Sequence, residues 1–147
     1  MKIDGAALYT LLTDAPASRL GSWARHEPKY DQIMGYSHLG HFFMRASNDG
    51  ECLVLHPFKK AAKSYGSHPS AAAFEAAILK DAGFAEYVMR PGHVAALLRL
   101  LGPLGPDEIY IPEPYPFVGG TDAPDSYAKG NVWVFMDIVA QMQGLGD

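Results

Sequence analysis

Apolar residues recur along this chain with two periods, and each period marks a different kind of element. The clearest helical repeat runs from Pro91 to Leu101, where Val94, Leu97, Leu98 and Leu101 follow the i, i+3, i+4, i+7 rule. Pro91 suits a first helical turn, whose N–H groups lack partners anyway, and Gly102-Pro103 stops the helix. A second helix is expected from a Ser67 or Ser70 cap to about Asp81, with Phe74 and Ile78 four residues apart on its inner face. A third is expected from an Asn131 cap through Gln143, with Gly144 beyond its end. Its opening, Val132-Trp133-Val134-Phe135, would equally suit a strand.

Strand patterns precede these helices. His41-Phe42-Phe43-Met44-Arg45-Ala46 and Glu51-Cys52-Leu53-Val54-Leu55-His56 flank Ser47-Asn48-Asp49-Gly50, a hairpin turn in which Gly50 accepts a positive φ cheaply. Pro57 ends the second strand, and Lys59 to Tyr65 reads as a third whose lysines guard a sheet edge. Glu108 to Ile111 is a further short strand. Pro112, Pro114 and Pro116 then remove alternate N–H donors and keep the chain extended, outside any central ladder. The first 34 residues read as a helical or irregular extension: Ala6 to Leu12 suits a short helix, and Pro16, Gly21 and Pro28 interrupt anything longer. Strands grouped first and helices grouped after predict an α+β fold, a small antiparallel sheet with helices packed on one face.

Composition narrows the class. At 147 residues, with 48% hydrophobic and 19% charged residues, the chain is expected to form one globular domain, residues 35 to 146 carrying its main body. No apolar run approaches the roughly 18 residues of a membrane span, and Met1-Lys2-Ile3-Asp4-Gly5 does not open like a secretory leader. Cys52 is the single cysteine, so nothing calls for an oxidising compartment, and a cytoplasmic setting is expected.

Charge changes the picture more. From Leu104 onward there are seven acids (Asp107, Glu108, Glu113, Asp122, Asp125, Asp137 and Asp147) and one base, Lys129, whereas residues 1–103 carry eleven bases and nine acids. The acids are interleaved with tyrosines and prolines in Pro106-Asp107-Glu108-Ile109-Tyr110-Ile111-Pro112-Glu113-Pro114-Tyr115-Pro116. A stiff, aromatic, acidic surface of this kind fits a basic partner, since one-sided charge acts on steering and partner choice.

Specific catalytic patterns are missing. His38, His41 and His56 invite a metal hypothesis, yet neither Cys52 nor a spaced carboxylate supplies a third ligand in register. Gly-x-Ser-x-Gly does not occur, and Gly119-Gly120 lacks the lysine and hydroxyl residue of a phosphate loop. Lys59, Lys60 and Lys63 form only a small basic patch in a chain of pI near 5.8, which argues against direct nucleic-acid binding.

The run Leu101-Gly102-Pro103-Leu104-Gly105-Pro106-Asp107-Glu108-Ile109-Tyr110, the pair Gly119-Gly120 and Ala140-Gln141-Met142 resemble the C-terminal domain of type VI secretion DNase-immunity proteins. Gly40 to Arg45 and Gly50 to Leu55 are similar to that family's glycine-led hairpin, so the likeness spans residues 35 to 146. Many members carry a separate domain ahead of it, where this chain has 34 residues. The resemblance implies a non-catalytic protein, without metal or cofactor, that binds and neutralises a cognate secreted toxin, often a nuclease. A nuclease cleft is cationic, and complementary carboxylates speed and specify its capture, while tyrosines are favoured interface residues. The expected face is Glu108, Tyr110, Glu113, Tyr115, Asp122, Asp125 and Tyr127. Two alternatives remain open at this point: a small hydrolase or metal-dependent enzyme using histidines near the 41–56 hairpin, and an adaptor or scaffold for another basic partner.

Overall fold

The computed structural model describes residues 8–145. A five-stranded antiparallel sheet forms first, in the order of the chain: β1 (Tyr9–Pro16), β2 (Gln32–Ser37), β3 (Phe42–Arg45), β4 (Glu51–His56) and β5 (Ala61–Ser67). Every strand pairs with its sequence neighbour, a meander. The expected hairpin is β3 and β4, with Phe42 opposite Leu55 and Arg45 opposite Cys52, and Gly50 takes φ 79° in its turn. The third strand of the expectation starts later, at Ala61, because Pro57–Lys59 forms a 3-10 turn and Lys60 adopts φ 50°.

The N-terminal reading changes. Of the helix expected over Ala6 to Leu12, residues 6 and 7 lie outside the described residues, and Tyr9 onward is strand β1. Pairing decides the outcome: Tyr9, Thr10 and Leu11 stand opposite Ser37, Tyr36 and Gly35 of β2, so their backbone groups are met by the ladder and not by a helical turn. A 3-10 turn (Ala17–Leu20) and the short α1 (Ser22–His26) then carry Leu20 and Trp23 into the core.

The helices follow. α2 (Ala71–Phe74), capped by the Ser70 hydroxyl, continues as a π-helical segment over Glu75–Leu79. The unanticipated α3 (Ala82–Phe84), capped by Asp81, continues likewise over Ala85–Met89. α4 (Pro91–Leu101) has the bounds its periodicity predicts. β6 (Glu108–Pro112) pairs with β7 (Tyr127–Asn131) as a separate two-stranded sheet, and α5 (Val132–Met142) starts directly from Asn131. The Asn131 side chain accepts from the N–H groups of Trp133 (2.9 Å) and Val134 (3.0 Å), which settles helix over strand there.

The α+β class is as expected, but the helices lie on both faces of the large sheet. Ile33, Phe42, Met44, Leu53 and Leu55 point to one side and pack with Trp23, Val132, Phe135, Met136 and Val139. Met34, Phe43, Cys52 and Val54 point to the other and pack with Phe74, Leu79, Phe84, Val88, Val94 and Leu97. β3 and β4 are apolar at successive positions, so both their faces need cover, and helices on one side alone would leave half of them in water.

Candidate functional site

A cleft of about 770 Å³ opens where three parts of the chain meet: the outer end of the β3–β4 hairpin, the joint between α3 and α4, and the long β6–β7 connection. The hairpin register builds its floor. Phe42 faces Leu55, so the next residues outward, His41 and His56, come side by side with ring centroids 4.9 Å apart at 78°. Phe58 and Lys59 follow on the 3-10 turn. From the helical side come Tyr87, Val88 and Arg90, and from the β6–β7 side Pro112, Phe117, Thr121, Asp122 and Tyr127.

Hydrogen bonding fixes the state of His41. The Ser37 hydroxyl oxygen accepts from the backbone N–H of His41 (3.0 Å) and of Leu39 (3.3 Å), and lies 2.8 Å from His41 Nδ1. A hydroxyl has two acceptor positions and one proton, so with both positions taken its proton goes to Nδ1. The imidazole therefore carries its own proton on Nε2. Burial, then the neighbouring His56, Lys59 and Arg90, push the His41 pKa down to about 3, which keeps the ring neutral. His56 is lowered too, by burial and then by Lys59 and Lys63. Ser37 is fully buried, so its contact with His41 is a structural hydrogen bond and does not present an exposed nucleophile.

Arg90 occupies a strained position. It joins α3's π-helical continuation to α4 with φ 52°, a left-handed conformation that a long side chain adopts rarely. Its Nη2 donates to Asp122 Oδ2 at 3.1 Å, across the cleft mouth. Behind it, His93 stacks edge-on against Tyr127 (5.1 Å), and burial and then Arg90 lower its pKa.

The seven residues expected to form a partner face divide into two groups. Glu113, Tyr115, Asp122, Asp125 and Tyr127 gather at the cleft end of the β6–β7 sheet, where the Glu113 N–H donates to Ser126 O at 2.8 Å and ties the two loops together. Glu113 and Asp125 are exposed and take part in none of the ion pairs among the described residues. Tyr115 is part-buried, its ring against Phe58, Phe117 and Phe135. Gly120 is what lets this loop fold so tightly, because a Cβ there would lie 1.7 Å from Pro114 O.

Glu108 and Tyr110 belong elsewhere. Glu108 stands opposite Asn131 at the far end of β6, roughly 13 Å from Pro112 at strand rise, and its carboxylate accepts from Gly105 N at 2.6 Å. Tyr110 is only 2% exposed and donates its hydroxyl proton to Gly102 O at 2.8 Å. An unbroken apolar run was the available signal for Tyr110: Ile109, Tyr110 and Ile111 are all buried in β6 because both sides of the strand are covered. Asp147 lies outside the described residues.

The donor set does not fit a metal. His41 and His56 meet, as their positions across the hairpin allow, but no group of three or more His, Cys, Asp or Glu residues converges among the described residues. His38 is turned to Thr10 Oγ1 (2.8 Å), and Cys52 is a buried thiol on β4. Arg90, Phe58 and Phe117 carry no motif, and only the folded chain brings them to the histidines. Among the described residues no helix is long and apolar enough to cross a membrane.

No protein-family model matches the chain, and no curated protein matches it. Among solved structures the fold is similar to that of Atu4351 from Agrobacterium tumefaciens, with 16% sequence identity and a TM-score of 0.62 over 92% of this chain and 67% of that one. At that identity the likeness shows the α+β fold alone.

Proposed function

We propose that this protein is an immunity protein: a non-catalytic binder that captures a cognate secreted toxin, a nuclease by the family resemblance, and neutralises it by occlusion. The observation that carries the reading is the exposed acidic corner of Glu113, Asp122 and Asp125, set on proline-braced loops beside Tyr115 and Tyr127. Carboxylates so placed complement a phosphate-binding surface, and their field raises the rate of encounter. Tyr115 and Tyr127 are held by ring contacts, so they offer contact area with little rotamer freedom left to lose. Asp122 is already paired with Arg90, so Glu113 and Asp125 carry the uncompensated charge.

The test is the double variant Glu113→Lys/Asp125→Lys, mixed with the product of the adjacent gene in stopped-flow association. The association rate should fall by about tenfold or more at low salt, with the urea midpoint unmoved. An unchanged rate, or an adjacent product that is harmless to cells lacking this protein, overturns the reading.

A further inference from the structure

The same cleft has a floor of different chemistry from its acidic rim. Its depth is apolar and aromatic, with Phe58, Phe117, Val88 and Pro112 on the walls, and its volume of about 770 Å³ is that of a small-molecule site. The charged groups that line it are mainly cationic. Arg90 and Lys59 supply positive charge from the helical and the hairpin side, and His41 lines the same cleft. The charged groups acting on His41 and His56 from the packed elements are all cationic: Lys59 and Lys63 from the hairpin side and Arg90 from the helical side. Asp122, the one acid on the lining, reaches across from the β6–β7 loop, and its partner is Arg90.

Two details describe how Arg90 is presented to the cleft. It closes one helical segment and opens the next at φ 52°, and that left-handed turn leaves its side chain on the cleft side. The guanidinium also already receives a carboxylate, that of Asp122, through Nη2 alone, although its fork can take such a group with two parallel bonds. The Asp122 carboxylate shows that such a group can reach the Arg90 guanidinium at this cleft.

We propose that this cleft binds a small amphipathic carboxylate, its aromatic or branched body against Phe58, Phe117 and Val88 and its carboxylate between Arg90 and Lys59. Inorganic anions lack the body, and neutral aromatics lack the group that the two cations select. Asp122 and Tyr127 border both surfaces, but this site rests on Arg90, Lys59 and the apolar lining and not on Glu113 or Asp125, so the two readings fail separately.

The full chain, labelled with ¹⁵N, would be titrated with benzoate, with benzyl alcohol as its uncharged analogue, and with inorganic phosphate as an anion without an apolar body. Benzoate should give saturable shifts centred on Leu39, Phe58, Tyr87 and Thr121, at about tenfold lower concentration than either control. Lys59→Gln, a change at an exposed position, should weaken benzoate by about threefold to tenfold. Arg90→Gln should weaken it further, and a matching urea midpoint would establish that the fold is intact. The proposal is overturned if benzoate gives no saturable shift, if benzyl alcohol binds as well, if phosphate binds as well, or if Lys59→Gln leaves benzoate binding unchanged.

Discussion

Trp23 donates its indole N–H to the backbone carbonyl of Met136 at 2.8 Å, joining residues 113 positions apart. Trp23 is fully buried, and the bond fastens the short α1 to the middle of α5. Trp23→Phe removes the donor and leaves a void beside Met136. It should lower stability by about 2 kcal/mol, a buried hydrogen bond plus part of a ring. Urea unfolding followed by circular dichroism reads this directly; a loss under about 0.5 kcal/mol would show that the bond contributes little.

Acid sensitivity should centre on His41. Its folded pKa, about 3, lies below the ordinary 6.5, so the fold stabilises the neutral ring. That contribution is complete above pH 6.5 and is lost as the pH falls from there toward 3, since the unfolded chain takes up the proton first. Stability should drop by about 1 kcal/mol per pH unit within that window from this group, and the lowered His56 and His93 act in the same direction. In His41→Gln the slope between pH 6 and 4 should flatten by about one proton's worth. Equal slopes in the two proteins would assign the sensitivity to other groups.

Gly120→Ala should disrupt the 113–126 region and little else. The added methyl carbon would overlap Pro114 O, a backbone atom that has nowhere to go without moving the loop. Limited proteolysis should cut this segment in the variant and spare it in the parent, while the amide resonances of β3 and β4 stay in place. A variant as resistant as the parent would mean that the loop relaxes freely.

Glu108 and Glu113 should separate cleanly by mutation. Glu108→Gln weakens the bond to Gly105 N and should cost roughly 1 kcal/mol of stability without slowing the toxin capture proposed above. Glu113→Gln, at an exposed position, should leave stability within about 0.5 kcal/mol and slow capture. Unfolding midpoints and association rates, measured on both, check the pair of outcomes.

Local chemistry made parts of this fold readable and left others hidden. Helix α4 carries its own start in Pro91, its own stop in Gly102 and a full apolar stripe, so residues 91–101 needed nothing from the rest of the chain. The β3–β4 hairpin and the Ser70 and Asn131 caps were legible for the same reason. Strand β1 was not: its apolar positions fit neither period cleanly, and pairing with β2, Tyr9 to Ser37 and Leu11 to Gly35, decides for a strand. Helix α3 holds Gly83 within a single turn, too little for a periodic signal, and its stability comes from packing Phe84 and Val88 onto the sheet. The exposure of Glu113, Asp122 and Asp125 was legible in their charge. Burial withdrew Tyr110, and the cleft beneath them depends on Arg90 and Phe58, which only tertiary structure places there.

The meander order of the large sheet has a kinetic consequence. Each strand finds its mate next door in sequence, so β1 to β5 can zip progressively, with small loops to close at each step. One sheet face nevertheless stays bare until α5 arrives from the far end of the chain to cover Phe42, Met44 and Leu55. During synthesis that oily side waits for residues 132–142, and with it waits Phe135, which backs the loop bearing Tyr115. A half-made chain therefore has a sheet but no finished acidic corner, and the surface proposed to meet a toxin is complete only once translation has passed the last helix.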